Sequence, residues 1–243
     1  MTAAAAISEL ESADELQELA ALFAIIWERP GELPLDMPTL RALSHSGNYV
    51  AGARSNGALI GGLIGWLGGD PRDHLHMHSH ILGVLPSSEA HGVGFSLKQH
   101  QRRWCLDRGV KSMEWTFDPL VRRNAHFNLT KLGADAAEYL VNFYGHMDDG
   151  LNAGEESDRL LIRWTLDSPK AIAAAEGRPF EPPVEEGQLV VSVPEDIVAI
   201  RRHDSELARR WRRRVRDSLG GAMSSGYRVA GLNRNFEYVL EAH

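Results

Sequence analysis

The sequence contains one cysteine, Cys105, in 243 residues. It therefore has no intrachain disulfide framework and no zinc site built from several cysteines. No apolar run approaches the roughly 20 residues that a membrane-spanning helix needs, and the opening MTAAAAISELESADELQEL lacks the basic and apolar regions of a signal peptide. A soluble, cytoplasmic protein with no membrane partner is expected. Basic charge is also short. The net charge is -7 and the pI near 5.9, whereas a nucleic-acid binder profits from a basic surface, so no nucleic-acid partner is expected. The sequence has no GxxxxGK(S/T) phosphate loop and no internal repeat. Its Gly92-Val93-Gly94 is followed by Leu97, where a dinucleotide fingerprint would carry a third glycine.

What is present is ordinary for a folded chain: 43% hydrophobic and 24% charged residues, enough for one large domain or a domain with an appendage. Ala4 to Leu10 reads as a first strand and Ser12 with Glu15 as a capping box. Leu16, Leu19, Ala20, Phe23, Ile26 and Trp27 form the stripe of the helix that follows. A short helix over 37–43 precedes the strand Tyr49 to Ala53, which Asn56-Gly57, a hairpin signal, joins to the strand Ala58 to Leu67. Further strands are expected at Met113 to Phe117, Tyr139 to Tyr144, Leu160 to Leu166 and Leu189 to Val193. A helix is expected over 121–132, stopped by Gly133, and a hairpin of Tyr227 to Leu232 with Phe236 to Glu241 closes the chain.

Residues 168–187, rich in Pro, Ala, Glu and Gly, mark a connector between a domain over 1–167 and a strand, helix and hairpin extension over 188–243 packed on it. In that extension Leu207, Trp211, Val215 and Leu219 recur every four residues, and eight arginines crowd the segment from Arg201 to Arg216. Asp204, Glu206 and Asp217 are interspersed, so a solvated or internally paired face fits better than a polyanion site.

The chain is organised around His80 to Lys98, HILGVLPSSEAHGVGFSLK. Ile81, Leu82 and Val84 form strand, Pro86 with Ser87 and Ser88 ends it, and Gly92 and Gly94 open a helix. The first N–H groups of a helix lack intrahelical partners and lie at the positive end of its dipole, so such a junction can take a phosphate. Upstream, His74, His76, His78 and His80 alternate with Leu75, Met77, Ser79 and Ile81. A regular strand puts the four rings on one face that continues into Leu82 and Val84. Histidines so spaced can ligate metal, but no carboxylate follows Asp73 within the run. The preferred reading is a solvated strand end with only His80 deep enough for chemistry, and no metal.

On these residues the sequence resembles the GNAT superfamily of acyl-CoA-dependent N-acyltransferases. That family's strand ending Val-x-Pro, its loop Gln/Arg-x-x-Gly-x-Gly/Ala and the helix after it are matched by Val84-Leu85-Pro86 and by Glu89-Ala90-His91-Gly92-Val93-Gly94. A later strand and a helix ending Lys-Leu-Gly are matched by Met113 to Phe117 and Lys131-Leu132-Gly133. The likeness covers about residues 1–167. More narrowly, QRRWCLDRGVKSMEWTFDPLVRRNAHFNLTKLGA looks like a subgroup of predicted acyltransferases, some of them linked to N-succinyl amino acid metabolism.

The resemblance implies an α/β fold with a mixed, mostly antiparallel central sheet flanked by helices, and acetyl-CoA or another acyl-CoA, succinyl-CoA included, as cofactor. It implies pyrophosphate contacts from the N–H groups of Gly92, Val93, Gly94 and Phe95, with Glu89, Ala90 and His91 in the same loop. Lys98, one turn into the helix, adds charge near a phosphate, and the pantetheine arm pairs along Leu82, Gly83 and Val84. Asn124 and Asn128, on one helix face at i, i+4, complete the cofactor-binding set. Homodimerisation is a habit of the family. Three positions depart from its pattern: Glu89 replaces Gln or Arg, Leu129 replaces a frequent tyrosine acid, and Arg122 replaces the usual asparagine.

Acyl transfer to an aliphatic amine needs a base, because the amine is protonated at neutral pH. His80 is the first candidate, its ordinary pKa suiting the task. Glu114 and Asp118 are alternatives, Asp118 better placed at a strand end. A backbone N–H of residues 83–84 can serve the oxyanion, and Tyr144 is the candidate acid for the thiolate. The expected function is transfer of an acetyl or succinyl-type group to the amine of a small molecule, an amino acid being one such acceptor, by direct attack in a ternary complex. The alternative, which Glu89 and Leu129 favour, is a catalytically weak GNAT-like CoA-binding or regulatory module.

Overall fold

Ser12 starts helix α1 (Ala13–Ile26): its Oγ accepts the Glu15 N–H at 3.3 Å while Glu15 Oε2 accepts the Ser12 N–H at 3.0 Å, the reciprocal cap that their spacing predicts. The structure, a computed structural model, describes residues 5–27, 35–69, 75–145, 156–182 and 188–242, with residues 89–91 as backbone alone. His74, residues 146–155 of the acidic loop, and the side chains of Glu89, Ala90 and His91 lie outside the described residues. The chain packs as two compact units, Met1–Met113 and Glu114–His243.

In the first unit, strands β1 (Ala6–Glu9), β2 (Tyr49–Ser55), β3 (Ala58–Gly68) and β4 (His76–Val84) pair antiparallel in that order. Asn56 and Gly57 turn the β2–β3 hairpin with φ of 51° and 83°, the positive values that a two-residue turn of the right twist requires. Helix α2 (Met37–His45) is capped by Asp36, whose Oδ1 accepts the Thr39 N–H at 2.9 Å. Helices α1 and α2 cover one sheet face with Leu10, Leu16, Leu19, Phe23, Leu40 and Ile64, each such side chain contributing about 1.5–3 kcal/mol on burial. Close approach of α1 depends on two glycines. A Cβ on Gly62 would stand 2.2 Å from Leu19 Cδ1, and one on Gly83 2.9 Å from the Trp27 ring. Helix α3 (Val93–Asp107) covers the opposite face, where a Cβ on the neighbouring Gly61 would meet Val93 and Leu97.

Strand β5 (Ser112–Phe117), β6 (Asp135–Leu140) and β7 (Arg159–Thr165) complete a seven-stranded, mostly antiparallel sheet of order β1-β2-β3-β4-β5-β7-β6. In the second unit Trp115 and Trp164 meet edge to face, 6.1 Å apart, within its core. The helix expected over 121–132 is α4 (Arg122–Ala125) continued by a wider π turn, His126–Lys131, and closed by Gly133 at φ 66°. Strand β6 ends at Leu140 rather than Tyr144. Asn142 turns the chain at φ 47°; the side chains of Asp158 and Ser157 accept the N–H groups of Asn142 and Tyr144 at 3.0 and 2.8 Å, and Ser157 O accepts that of Phe143 at 3.1 Å, so residues 142–144 form a turn held by 157–158 in place of further strand.

Residues 168–187 contain a helix, α5 (Pro169–Ala175), started by Ser168 with Pro169 in its first turn. A second sheet of order β8-β10-β9 follows, from β8 (Leu189–Val191), β9 (Tyr227–Leu232) and β10 (Tyr238–Ala242). Strand β8 is shorter than expected because only three of its residues pair with β10. Between β8 and β9 lie α6 (Ile197–His203), α7 (Ser205–Val215), a π turn (Arg216–Gly220) and α8 (Gly221–Ser224). Of the four-residue stripe, Val215 and Leu219 are buried, while Leu207 and Trp211 are only half-buried and Ala208 and Arg212 take the interior places beside them, because a strict period of four drifts around a helix of about 3.6 residues per turn. No helix among the described residues is long and apolar enough to cross a membrane.

Candidate functional site

Strand β4 runs through Leu85 into a 3-10 turn, Pro86–His91, and Gly92 then opens α3 in the left-handed conformation, φ 72°. Among the described residues no side chain bonds the first N–H groups of this helix. The Ser96 N–H bonds Gly92 O at 3.0 Å, so the N–H groups of Gly92, Val93, Gly94 and Phe95 precede the intrahelical ladder. A Cβ on Gly92 would meet no atom within 4 Å; the backbone angle, not crowding, makes glycine the residue for this place. One on Gly94 would lie 3.7 and 3.8 Å from Val84 and Leu82. A glycine-opened helix start whose first N–H groups have no intrahelical partner is what a pyrophosphate needs, so the described residues fit the phosphate end of a coenzyme A.

Lys98 is turned inward, away from any phosphate role. It is 3% exposed, its Nζ donates to Ser79 Oγ at 2.7 Å and lies 3.8 Å from Met113 Sδ, and Ser79 Oγ donates to Gln101 Oε1 at 2.8 Å. Burial pushes the Lys98 pKa down to about 7. The helical period decides this: position 98 falls beside Leu97 and Gln101 on the face of α3 that covers the sheet.

The histidine ladder breaks at His80. Ile64 stands opposite Ile81 and Gly65 opposite Ser79, so His80 is the extra residue of a β-bulge. His78 and His80 both lie against Trp66, with ring centroids at 4.9 and 4.6 Å, and Ile81 packs on the α1 side of the sheet. Leu82 and Val84, expected to continue the ladder, face the α3 side near Gly94 instead. His78 Nε2 is 3.3 Å from His80 Nδ1. His80, expected to be the only deep histidine of the run, is instead exposed, while His76 and His78 are half-buried, because the bulge turns its ring outward; partial desolvation still lowers its pKa, which favours the neutral imidazole that can accept a proton. No group of three or more metal-ligating side chains converges among the described residues.

The remaining candidates belong to the second unit. Asp118 is not placed to act as a base. Its Oδ1 accepts from Arg212 Nη1 at 2.7 Å and from the Leu120 N–H at 2.9 Å, and its Oδ2 accepts from Arg212 Nη2 at 2.8 Å and Arg201 Nη2 at 2.5 Å. Burial alone would raise its pKa, but the bonds and charges of Arg212 and Arg201 outweigh that and hold the carboxyl well below the usual carboxylate range. An ion so held has little affinity for a proton. Glu114 is tied to Arg163 on β7 at 2.8 Å. Tyr144, half exposed in the turn after β6, bonds Thr116 Oγ1 through its OH at 3.1 Å and lies under the Arg159 guanidinium at 5.3 Å.

Asn128 is buried, its Oδ1 accepting from Trp115 Nε1 at 3.2 Å, which turns it inward and takes it out of the expected cofactor set. The π turn is the cause. It carries Asn128 into the interior while Asn124, one element earlier, stays half-buried. Reading the sequence missed the partners rather than the candidates: Trp66 and His78 around His80, and Arg201 and Arg212 around Asp118. The alternating histidines signalled the first pair, and the arginine run signalled the second only as a surplus of charge.

A family model described as the Acetyltransferase (GNAT) family matches residues 14–134. Among solved structures, Naa50 of Arabidopsis thaliana in complex with a bisubstrate analogue is 14% identical, covers 67% of this chain and 99% of its own, and superposes with a TM-score of 0.54. An acetyltransferase of the GNAT family from Streptococcus pneumoniae is 15% identical over 66% of this chain and 98% of its own, with a TM-score of 0.55. Aminoglycoside 6'-acetyltransferase type Ii is 16% identical over 67% and 98%, with a TM-score of 0.53. No curated protein matches the chain. At these identities the solved structures establish the shared fold, and residues 14–134 are those that match the GNAT acetyltransferase family.

Proposed function

We propose that this chain is an acyl-CoA-dependent N-acyltransferase that moves an acetyl or succinyl-type group to the amine of a small molecule in the cytoplasm, with an amino acid as the first acceptor to try. The observation that carries the reading is the conjunction, within one unit, of a glycine-opened helix start and a neutral histidine at a bulge in the strand leading to it. The acyltransferase part spans residues 1–167, and residues 188–243 form an extension that meets it where Arg201 and Arg212 hold Asp118.

The N–H groups of Gly92, Val93, Gly94 and Phe95 bind the pyrophosphate, and the backbone of Leu82, Gly83 and Val84 orients the pantetheine arm. The Leu85 N–H bonds Ile60 O on β3 at 2.9 Å. By strand alternation the Leu82 and Val84 N–H groups point away from β3, which makes Val84 N–H the oxyanion donor of choice. When bound, acyl-CoA supplies a thioester carbonyl to the neutral amine, the C–N bond forming as C–S breaks and the departing sulfur taking the amine's second proton. His80 takes the first proton from the substrate ammonium and returns it to water. Thiolate leaves readily, so no strong acid is needed where Leu129 replaces tyrosine.

Titration calorimetry against acetyl-CoA, succinyl-CoA and CoA, followed by thiol release with an amine panel, tests the reading. Micromolar binding and turnover are expected; binding of none of the three would overturn it. Binding without thiol release from any amine would identify a CoA-binding module instead. Gly92→Val is expected to lose CoA binding while keeping the fold.

A further inference from the structure

The 3.3 Å contact between His78 Nε2 and His80 Nδ1 requires one of these nitrogens to carry a proton and the other a lone pair. The two arrangements differ in consequence. If His78 donates, the remaining proton of a neutral His80 sits on Nε2, and that nitrogen has nothing with which to accept. If His80 donates, its Nε2 keeps the lone pair. The inference rests on the N-acyltransferase reading, in which His80 accepts a proton from the acceptor ammonium. We propose that His78 is a positioning residue for His80, accepting its Nδ1–H and so reserving Nε2 for the substrate proton.

The bulge builds this pair. In a regular strand residues two apart are spaced by roughly 6.6 Å, whereas here the rings close to a centroid separation of 5.5 Å and both stack on Trp66. Trp66 gives both rings a common surface to lie against, which favours the orientation in which they meet. Among the described side chains near the pair, β3 contributes Trp66, which does not titrate, and β4 contributes His76, two residues further on beside Gly68. In the proton step the ammonium gives one proton to His80 Nε2, its nitrogen lone pair is freed, and the imidazolium keeps its Nδ1–H on His78. The proton then leaves Nε2 for water.

Long-range 1H–15N NMR of the ring nitrogens on the full chain, free of ligand, reads the tautomer directly, with His80 assigned by the signals lost in His80→Gln. Between pH 7 and 8 His80 is expected to carry its proton on Nδ1. In His78→Phe, which keeps a ring beside Trp66 but has no lone pair, the proton is expected to move to Nε2. With acetyl-CoA and an accepted amine, kcat should fall about tenfold at unchanged KM for acetyl-CoA, a fraction of what a general base supplies. His78→Gln, with an oxygen near the position of Nε2, should recover to within about threefold. An Nε2–H tautomer in the wild type, or a His78→Phe protein matching the wild type in tautomer and kcat, would overturn the proposal. The Nδ1–H tautomer together with no thiol release from any amine would leave the hydrogen bond standing and reject the acyltransferase reading.

Discussion

Asp118 and His80 are both titratable groups singled out by their places near strand ends, and their surroundings treat them in opposite ways. Asp118 is buried with four donors on two oxygens, two from Arg212 and one each from Arg201 and Leu120. His80 has one side-chain nitrogen near it, a tryptophan stacked against it, and a pKa moved toward the neutral form. A buried charge is tolerable only when its bonds are filled, and filling them removes it from proton chemistry. A neutral ring costs far less to shield, and it keeps a lone pair to use. The group with fewer partners, shifted toward the form its task needs, is the better candidate for function.

The comparison breaks first if Asp118 proves dispensable. Asp118→Ala strips Arg201 and Arg212 of their shared carboxylate, and urea denaturation is expected to show a loss of about 3–5 kcal/mol. His80→Gln is the converse: about a hundredfold loss in kcat, with CoA affinity and thermal midpoint unchanged. A midpoint drop as large as that of Asp118→Ala would move His80 to the structural class.

Lys98 sharpens the contrast through pH, since it is buried like Asp118 yet shifted toward its neutral form like His80. Its pKa is about 7 folded against an ordinary 10.5, so between those values the unfolded chain binds the extra proton. The burial penalty is full below about pH 7 and fades toward pH 10.5, so stability should rise with pH across that window by up to about 1.4 kcal/mol per unit. Lys98→Met removes this slope, as denaturation at a series of pH values would show. Smallest of all, Glu206→Gln cuts an exposed carboxylate off from Arg209 and Arg213 and is expected to leave the unfolding midpoint unmoved within error.

Much of the fold was legible because local signals agreed with the tertiary outcome. Ser12 with Glu15, Asn56-Gly57, and the stripe Leu16, Leu19, Phe23 are each short-range statements that the structure repeats. The site was legible in its backbone part, Val84 to Gly94, because a glycine at φ 72° before a helix is a local necessity. Side-chain destinations were less so. Lys98 and Asn128 were expected at a ligand and point into the interior, one by helical period against a sheet that the sequence does not locate, the other by a π turn that propensity does not encode.

The sequence by itself determined the strand, glycine loop and helix at residues 80–98, the hairpin at Asn56-Gly57 and the likeness to the GNAT family, since each depends on residue types at fixed short spacing. Only the tertiary structure decided which titratable groups are available. The bulge that places His80 beside His78 and Trp66, and the meeting of Asp118 with arginines 83 and 94 residues away, depend on register and packing between distant segments, and no local pattern carries that information.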